Sequence, residues 1–140
     1  MQRKASAVWK GGLKDGKGTI SAPGGALNNT QYSFTSRFES GAGTNPEELV
    51  AAAHAACFSM ALSVQLGEAK LTPESISTNV TLSFEKLDTG WTITESHLDV
   101  VGKVPGADAA TFQKCAEAAE QGCPVSKVLK AKISITAKLE

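Results

Sequence analysis

An excess of charge of either sign is absent from this sequence of 140 residues. Fourteen Lys and Arg residues balance fourteen Asp and Glu residues, so the formal net charge at pH 7 is zero. A general nucleic-acid binder or a protein of anionic membrane surfaces needs a basic excess, so we expect neither kind of partner. Arginine itself is rare, because Arg3 and Arg37 are the only two in a chain that otherwise uses lysine.

Cysteine is also scarce, with Cys57, Cys115 and Cys123 as the whole set. Three is an odd number and too few for a small protein held together by disulfides. The cysteines and the two histidines lack the spacing of a metal site, so we predict no metal. No glycine-rich phosphate loop with its lysine is present, and we predict no cofactor. No apolar export segment follows the first charges, and the expected compartment is the cytoplasm.

Long hydrophobic runs are limited to Leu49–Gly67, nineteen residues without a charge. That length reaches the range of a membrane span. Six alanines dilute the run, however, polar residues such as His54 and Gln65 interrupt it, and no basic cluster flanks it. The pattern favours a helix buried nearly all round inside a soluble domain.

Capping signals define three helices. Asn45 is the predicted N-cap of the long apolar helix, which starts at Pro46, runs to about Leu66 and stops at Gly67. Asp108 is the predicted cap of a second, amphipathic helix that ends at Gln121. A short third helix runs from Pro124 to Lys130, which makes Cys123 its N-cap.

Alternating apolar and polar residues predict strands before and after these helices. A break in the alternation indicates a bulge near Glu95. One-sided strands joined by hairpins indicate an α+β fold with antiparallel sheets, in a single domain over residues 1–140. One sheet face cannot cover the apolar helix, so we favour a homodimer. The predicted strands are Lys4–Lys10, Gly18–Ser21, Thr30–Phe34, Val80–Glu85, Trp91–Val100 and Ile133–Leu139.

The three cysteines differ in their expected surroundings. Cys115 lies on the apolar stripe of the second helix and is predicted to be a core residue. Cys57 lies midway along the apolar helix, where an apolar shell raises the pKa of a thiol. A reactive Cys57 would therefore need a cation from another segment of the chain, and Arg37 is the candidate. Cys123 faces the free amides at a helix start, which favours a thiolate. The shell around Cys57 includes Val50, His54, Met60 and Val64.

Two further side chains are candidates for the same site. Glu47 precedes Cys57 by about 15 Å of helix, so it could orient Arg37 or serve a partner chain rather than touch Cys57. His54 lies one turn before Cys57 and could act as its base in a Cys–His hydrolase. No third orienting group is evident, and a satisfied core histidine is the favoured interpretation.

Several motifs together resemble the osmotically inducible protein C (OsmC) and organic hydroperoxide resistance family. They are Gly43–Leu49 (GTNPEEL), Ala52–Phe58 (AAHAACF) and Gly122–Ser126 (GCPVS), supported by Trp9–Gly11, Gly16–Thr19 and Arg37–Glu39. The resemblance covers essentially the whole chain and is closer to the OsmC branch.

This resemblance implies a thiol peroxidase that reduces organic hydroperoxides in oxidative or osmotic stress defence. Its peroxidatic cysteine falls on Cys57, its resolving cysteine on Cys123, and its Arg–Glu pair on Arg37 and Glu47. It implies antiparallel sheets wrapped around a long buried central helix, an intertwined homodimer, and active sites at the subunit interface. An external dithiol, lipoyl-type or a small thiol, would reduce the Cys57–Cys123 disulfide, and Val50, His54, Met60 and Val64 would line the substrate pocket.

Three alternatives remain open from the sequence. The same cysteine pair could serve a redox-sensing or binding module without turnover, or the two cysteines could simply pack. A hydrolase that uses His54 is the third. Cys115 has no counterpart in the family motifs, so it is either a bystander or a competing thiol.

Overall fold

The N-terminal unit comprises residues 1–49 of the 140 residues that the computed structural model describes. Three short antiparallel strands form its sheet in the order β1 (Ser6–Lys10), β2 (Lys17–Ser21) and β3 (Thr30–Ser33). Gly18 is required here because a Cβ atom would lie 2.3 Å from the Tyr32 ring. The predicted strands are confirmed in this unit, apart from the end of the third.

A short helix that the sequence did not predict follows directly, α1 (Phe34–Phe38). Ser33 and Ser36 form a reciprocal capping box, in which each side chain accepts a hydrogen bond from the backbone N–H of the other. The prediction of a strand through Phe34 is therefore wrong by one residue, because the capping box turns the chain into a helix there. Arg37 consequently lies in the last turn of a helix rather than in a loop.

The long helix α2 (Pro46–Glu68) begins in this unit and continues into the second. Its start is as predicted, since the Asn45 side chain accepts a hydrogen bond of 2.8 Å from the backbone N–H of Glu48. Its end is not at Gly67. Lys70 adopts a left-handed φ of 63°, and the N–H groups of Lys70 and Leu71 reach back to the carbonyls of Gly67 and Leu66. This arrangement closes the helix as a terminal glycine usually does.

The second unit, residues 50–140, is built on a three-stranded sheet in the order β4 (Ser75–Leu87), β5 (Gly90–Lys103) and β6 (Lys132–Leu139). The β4–β5 hairpin is antiparallel, and its register shifts at Ser83–Phe84 because Thr94 is the extra residue, one position from the predicted bulge. β6 pairs with β5 in parallel, so the expectation of purely antiparallel sheets is wrong. The helices between β5 and β6 provide the crossover that a parallel pair needs.

Those helices are α3 (Ala109–Gly122) and α4 (Pro124–Val128). Asp108 caps α3 by accepting a hydrogen bond of 2.8 Å from the N–H of Thr111, as predicted. The predicted inward stripe of α3 is buried, and it joins residues of α2 and β5 in one apolar core. This core contains Phe58, Leu62, Leu66, Leu98, Val100, Val104, Phe112, Cys115, Ala116, Ala119 and Cys123.

Within one chain α2 buries a single stripe, His54, Phe58, Leu62 and Leu66, at four-residue spacing. Met60 and Val64 on another side are 74% and 58% exposed. The expected burial nearly all round is therefore not achieved by one chain, because the core covers one face of the helix. By length and composition α2 could also cross a membrane, and 22% of its most apolar window is buried in this chain.

Candidate active site

Cys57 and Cys123 lie side by side although 66 positions separate them in the sequence. Their Sγ atoms are 3.1 Å apart, and both are free thiols. α2 presents Cys57, which is half-buried, while the junction of α3 and α4 holds Cys123 with no exposed surface. Two thiols at this distance need only a small approach to form a disulfide, because the S–S bond length is about 2.05 Å.

The environment distinguishes the two thiols. Burial, followed by the hydrogen bond with Cys123, raises the pKa of the Cys57 thiol. Burial alone would also raise the pKa of Cys123, but the backbone N–H of Ser126, the Cys57 thiol and the Ser126 hydroxyl outweigh it and leave the pKa below its ordinary value. The sulfur makes no capping hydrogen bond of standard geometry, so the amides of α4 act as nearby dipoles. The raised pKa of Cys57 and the lowered pKa of Cys123 both agree with the directions expected from the sequence.

His54 lies between two serines in the interior of the second unit. Its Nδ1 is 2.8 Å from Oγ of Ser96 on β5, and its Nε2 is 2.8 Å from Oγ of Ser126 on α4. Burial lowers the pKa of His54, so the ring is neutral at pH 7. The interpretation as a satisfied core histidine is confirmed. The two serines could not be found from the sequence, because they lie 42 and 72 positions away.

Arg37 and Glu47 form the second pair, in the N-terminal unit. Nε and Nη2 of Arg37 both donate to the Glu47 carboxylate, at 3.2 and 2.8 Å. The Glu47 side chain is 13% exposed and the Arg37 side chain 36%. This two-point contact fixes the plane of the guanidinium, which a lysine could not reproduce. The prediction that Glu47 orients Arg37 has a direct geometric basis here, whereas the approach of Arg37 to Cys57 stays a prediction.

Aromatic side chains whose grouping the sequence did not predict lie near Arg37 in the same unit. The guanidinium carbon lies 5.2 Å from the centre of the Phe38 ring, a cation–π distance. A cavity of about 270 Å³ opens beside it. The one sign of this aromatic group in the sequence is the alternation of Tyr32 and Phe34, both of which line the cavity. The cavity is lined by Trp9, Leu13, Tyr32, Ser33, Phe34, Arg37, Phe38 and Pro46.

The predicted substrate-pocket residues occupy different environments in this chain. Val50 is half-buried, Met60 and Val64 are exposed, and His54 has no exposed surface. Their common role in a pocket stays a prediction. Cys115 is buried, with its Sγ 3.7 Å from the carbonyl oxygen of Gln65, and burial raises the pKa of its thiol.

The sequence matches the family model described as OsmC-like protein over residues 39–138. The chain belongs to the OsmC family. The match includes Glu47, Cys57 and Cys123, and it begins two residues after Arg37.

Named relatives in the OsmC family agree with this assignment. The chain is 51% identical to Peroxiredoxin OsmC of Escherichia coli (strain K12), with all of this chain and 98% of the relative covered. It is 34% identical to an organic hydroperoxide resistance protein of Xanthomonas axonopodis pv. citri, over 71% of this chain and 68% of that one. Among solved structures, the organic hydroperoxide resistance protein OhrB of Bacillus subtilis superposes with a TM-score of 0.73 at 26% identity, covering 98% of both chains.

Proposed function

We propose that this protein is a thiol peroxidase that reduces organic hydroperoxides, with Cys57 as the peroxidatic and Cys123 as the resolving cysteine. The observation that carries the proposal is the 3.1 Å separation of the two Sγ atoms. The names of the relatives, a peroxiredoxin and organic hydroperoxide resistance proteins, support the reaction class. Stress defence against peroxides is the corresponding role.

In the first step the Cys57 thiolate attacks the distal oxygen of the hydroperoxide. An S–O bond forms and the O–O bond breaks, so Cys57 is oxidised to a sulfenic acid and the hydroperoxide is reduced to an alkoxide. The alkoxide takes up the proton that the Cys57 thiol lost and leaves as an alcohol. The thiol pKa of Cys57 is raised by burial, so this step needs a cation. Arg37, oriented by Glu47, is the side chain that we assign to that task, from the same or the partner protomer.

In the second step Cys123 attacks the sulfur of the Cys57 sulfenic acid. An S–S bond forms, the S–O bond breaks and water leaves. An external dithiol then reduces the disulfide by exchange and is itself oxidised. A lipoyl-type dithiol or a small thiol has the required chemistry.

The proposal includes a homodimer in the cytoplasm, without nucleic-acid or membrane partners. The uncovered side of α2, which carries Met60 and Val64, supports a second copy as its cover. Three cysteines, an odd number and too few for a disulfide framework, suit the cytoplasm. Val50, Met60 and Val64 would then line an apolar pocket with His54 behind it, a pocket better suited to alkyl hydroperoxides than to hydrogen peroxide.

Mass spectrometry after one equivalent of cumene hydroperoxide tests the proposal. We expect a Cys57–Cys123 linkage, an unmodified Cys115, and continued peroxide consumption when dithiothreitol is added. Oxidation without turnover would instead identify a redox sensor. An absence of any change at Cys57 would contradict both functions. In His54→Ala we expect only a modest effect, whereas a loss of all activity would point to the hydrolase alternative.

A further inference from the structure

Ser36 and Thr44 are the buried polar residues of the N-terminal unit, 6% and 8% exposed. They lie where β3, α1 and the segment before α2 meet. The Ser36 hydroxyl donates to the Thr44 carbonyl oxygen at 2.8 Å, and Nδ2 of Asn45 donates to the Ser36 carbonyl oxygen at 2.9 Å. Two hydrogen bonds in opposite directions therefore tie α1 to the start of α2.

Thr44 is also held by the sheet of the same unit. Its N–H donates to the Gln31 carbonyl oxygen at 2.9 Å, and it pairs with Tyr32 as an isolated parallel bridge. Gly43 permits this close approach, because its φ is 106° and a Cβ atom there would lie 2.5 Å from the Gln31 carbonyl oxygen. A hydrogen bond from Ser36 to Thr44 consequently fixes α1 against the sheet as well as against α2.

Capping alone does not explain a serine at position 36. The third residue of a helix with a capping box is usually Glu or Gln, whose side chain accepts from the N–H of the cap residue. Ser36 also accepts from the Ser33 N–H, at 2.8 Å, which uses only a lone pair of its oxygen. Its single proton remains to be donated, and the nearer carbonyl oxygen is that of Thr44, at 2.8 Å, whereas that of Ser33 lies at 3.1 Å. A glutamate could cap α1 but would have no proton for Thr44.

The Arg37–Glu47 pair lies directly beyond this junction. Arg37 follows Ser36 in the chain, and Glu47 comes two positions after Asn45. A partly exposed ion pair contributes little by itself, because holding two long side chains in one geometry costs conformational entropy. The Arg37 side chain is 36% exposed, so its two-point contact with Glu47 depends on backbones that already lie at the correct distance. The hydrogen bonds of Ser36 keep the backbones at that distance.

We propose that Ser36 is a positioning residue, whose hydroxyl fixes α1 against Thr44 so that the Arg37 guanidinium meets Glu47 in one orientation. This inference rests on the proposed function and deepens it. Ser36 has no contact with the reacting atoms in this role, and it acts through Arg37, which the mechanism assigns to the Cys57 thiolate. Loss of the hydroxyl should therefore lower the peroxidase rate only while Arg37 is present.

A double-variant comparison tests whether Ser36 acts through Arg37. We expect Ser36→Ala to lower kcat/KM for cumene hydroperoxide about tenfold, the size of one lost buried hydrogen bond. When it is combined with Arg37→Ala, the same change should cause no further loss, because the group that Ser36 positions is already gone. A further loss of about tenfold in the double variant, or full activity in Ser36→Ala, would overturn the proposal.

Ser33→Ala is the matched control. It removes the side-chain acceptor of the Ser36 N–H, which is one half of the capping box, and it leaves the Ser36 hydroxyl bonded to Thr44. We expect a clearly smaller loss of rate than in Ser36→Ala. If the two alanine variants were equally slow, the cap of α1 alone would matter and the role of the hydrogen bond to Thr44 would be wrong.

A spectroscopic measurement separates this inference from the proposed function. The chain has only two arginines, so ¹⁵N-arginine labelling of the full-length protein gives two Nε–H signals, and Arg3→Ala identifies that of Arg37. Because the Arg37 Nε–H donates to Glu47, we expect it to exchange with water about tenfold more slowly than that of Arg3. This protection should largely disappear in Ser36→Ala and persist in Ser33→Ala.

Two outcomes of this measurement would contradict the positioning role whether or not the protein reduces peroxides. Equal exchange of the two arginines in the wild type would show that the guanidinium is not fixed, and this result needs no variant to fold. Unchanged protection of Arg37 in a folded Ser36→Ala variant would show that another contact fixes it. Protection that depends on Ser36 in a protein that consumes no hydroperoxide would contradict the proposed function alone.

Discussion

Arg37 donates to Glu47 through two nitrogens, and the proposed mechanism assigns it the stabilisation of the Cys57 thiolate. We expect Arg37→Ala to lower kcat/KM for cumene hydroperoxide about a hundredfold, the usual effect of losing a key electrostatic group at a reacting centre. Arg37→Lys should recover only part, because an ammonium cannot make the two-point contact. Arg3→Ala, which removes the other arginine, is the control, and equal activity of the Arg37 and Arg3 variants would contradict this assignment.

His54 predicts a pH dependence of stability, since burial lowers its pKa below the ordinary 6.5 in the folded protein. Below about pH 6.5 the unfolded chain binds a proton that the folded chain still excludes, so the free energy of unfolding falls as the pH drops from 7 towards the folded pKa. Urea unfolding at a series of pH values should show this slope in the wild type and in His97→Gln. The slope should be smaller in His54→Gln, and an unchanged slope there would contradict the prediction.

At the residue scale, the sequence predicted local surroundings well and distant partners poorly. The direction of the pKa of Cys57 followed from its apolar neighbours on the same helix, and that of Cys123 from its place at a helix start. The pairing of the two cysteines came from the family resemblance. Ser96 and Ser126 were missed because their contact with His54 depends on how β5 and α4 pack, which no local spacing records.

Asn45 connects the two helices that carry Arg37 and Glu47. Its Oδ1 caps α2, and its Nδ2 donates to the Ser36 carbonyl oxygen in α1 at 2.9 Å. Asn45→Asp keeps the acceptor and loses the donor. We therefore expect an intact α2 cap, a loss of about 1 kcal/mol of stability, and a lower peroxidase rate because α1 is held less firmly.

Circular dichroism, chemical unfolding and steady-state assays measure these three effects. Asp108→Asn is the matched control, because it exchanges the same two residue types at the cap of α3 while keeping an acceptor for Thr111. If Asn45→Asp retained full peroxidase activity despite the lost hydrogen bond, the coupling of α1 to catalysis would be wrong.

At the scale of elements, strong local signals predicted the structure and weak ones did not. Asn45, Pro46 and Asp108 marked helix starts correctly, because capping is decided within a few residues. The five-residue α1 was missed because its capping box uses serine at both positions. Gly67 was mistaken for a helix end because a lysine, Lys70, adopts the left-handed conformation that usually favours glycine. The parallel pairing of β6 depends on chain topology rather than on local pattern.

The uncovered side of α2 leads to a prediction for the whole molecule. Met60 is 74% exposed in one chain, so a charge there should not disturb the fold of a single copy. If a second copy covers it, Met60→Glu places a charge in an apolar interface, and sedimentation velocity should show a monomer where the wild type is a dimer. Ala110→Glu, at an exposed position of α3, should leave the mass unchanged. A dimeric Met60→Glu variant would exclude this side of α2 as the interface.

For the molecule as a whole, the α+β class and the family were predictable because several separate motifs agreed with one another. The extent of burial of α2 was not predictable, because it depends on how much surface a three-stranded sheet and its helices can cover. Composition shows that a helix is apolar, but not which chain provides its contacts.

In the proposed mechanism, the unequal exposure of the two cysteine residues determines which end of the disulfide a reductant can reach. Cys123 has no accessible surface, whereas Cys57 is half-buried, so an incoming reductant can attack only the sulfur of Cys57. Cys123 is then the leaving thiolate, and its lowered pKa makes it the better leaving group of the two. The proposed mechanism therefore predicts that the mixed disulfide with the reductant forms on Cys57, at the accessible end of the bond.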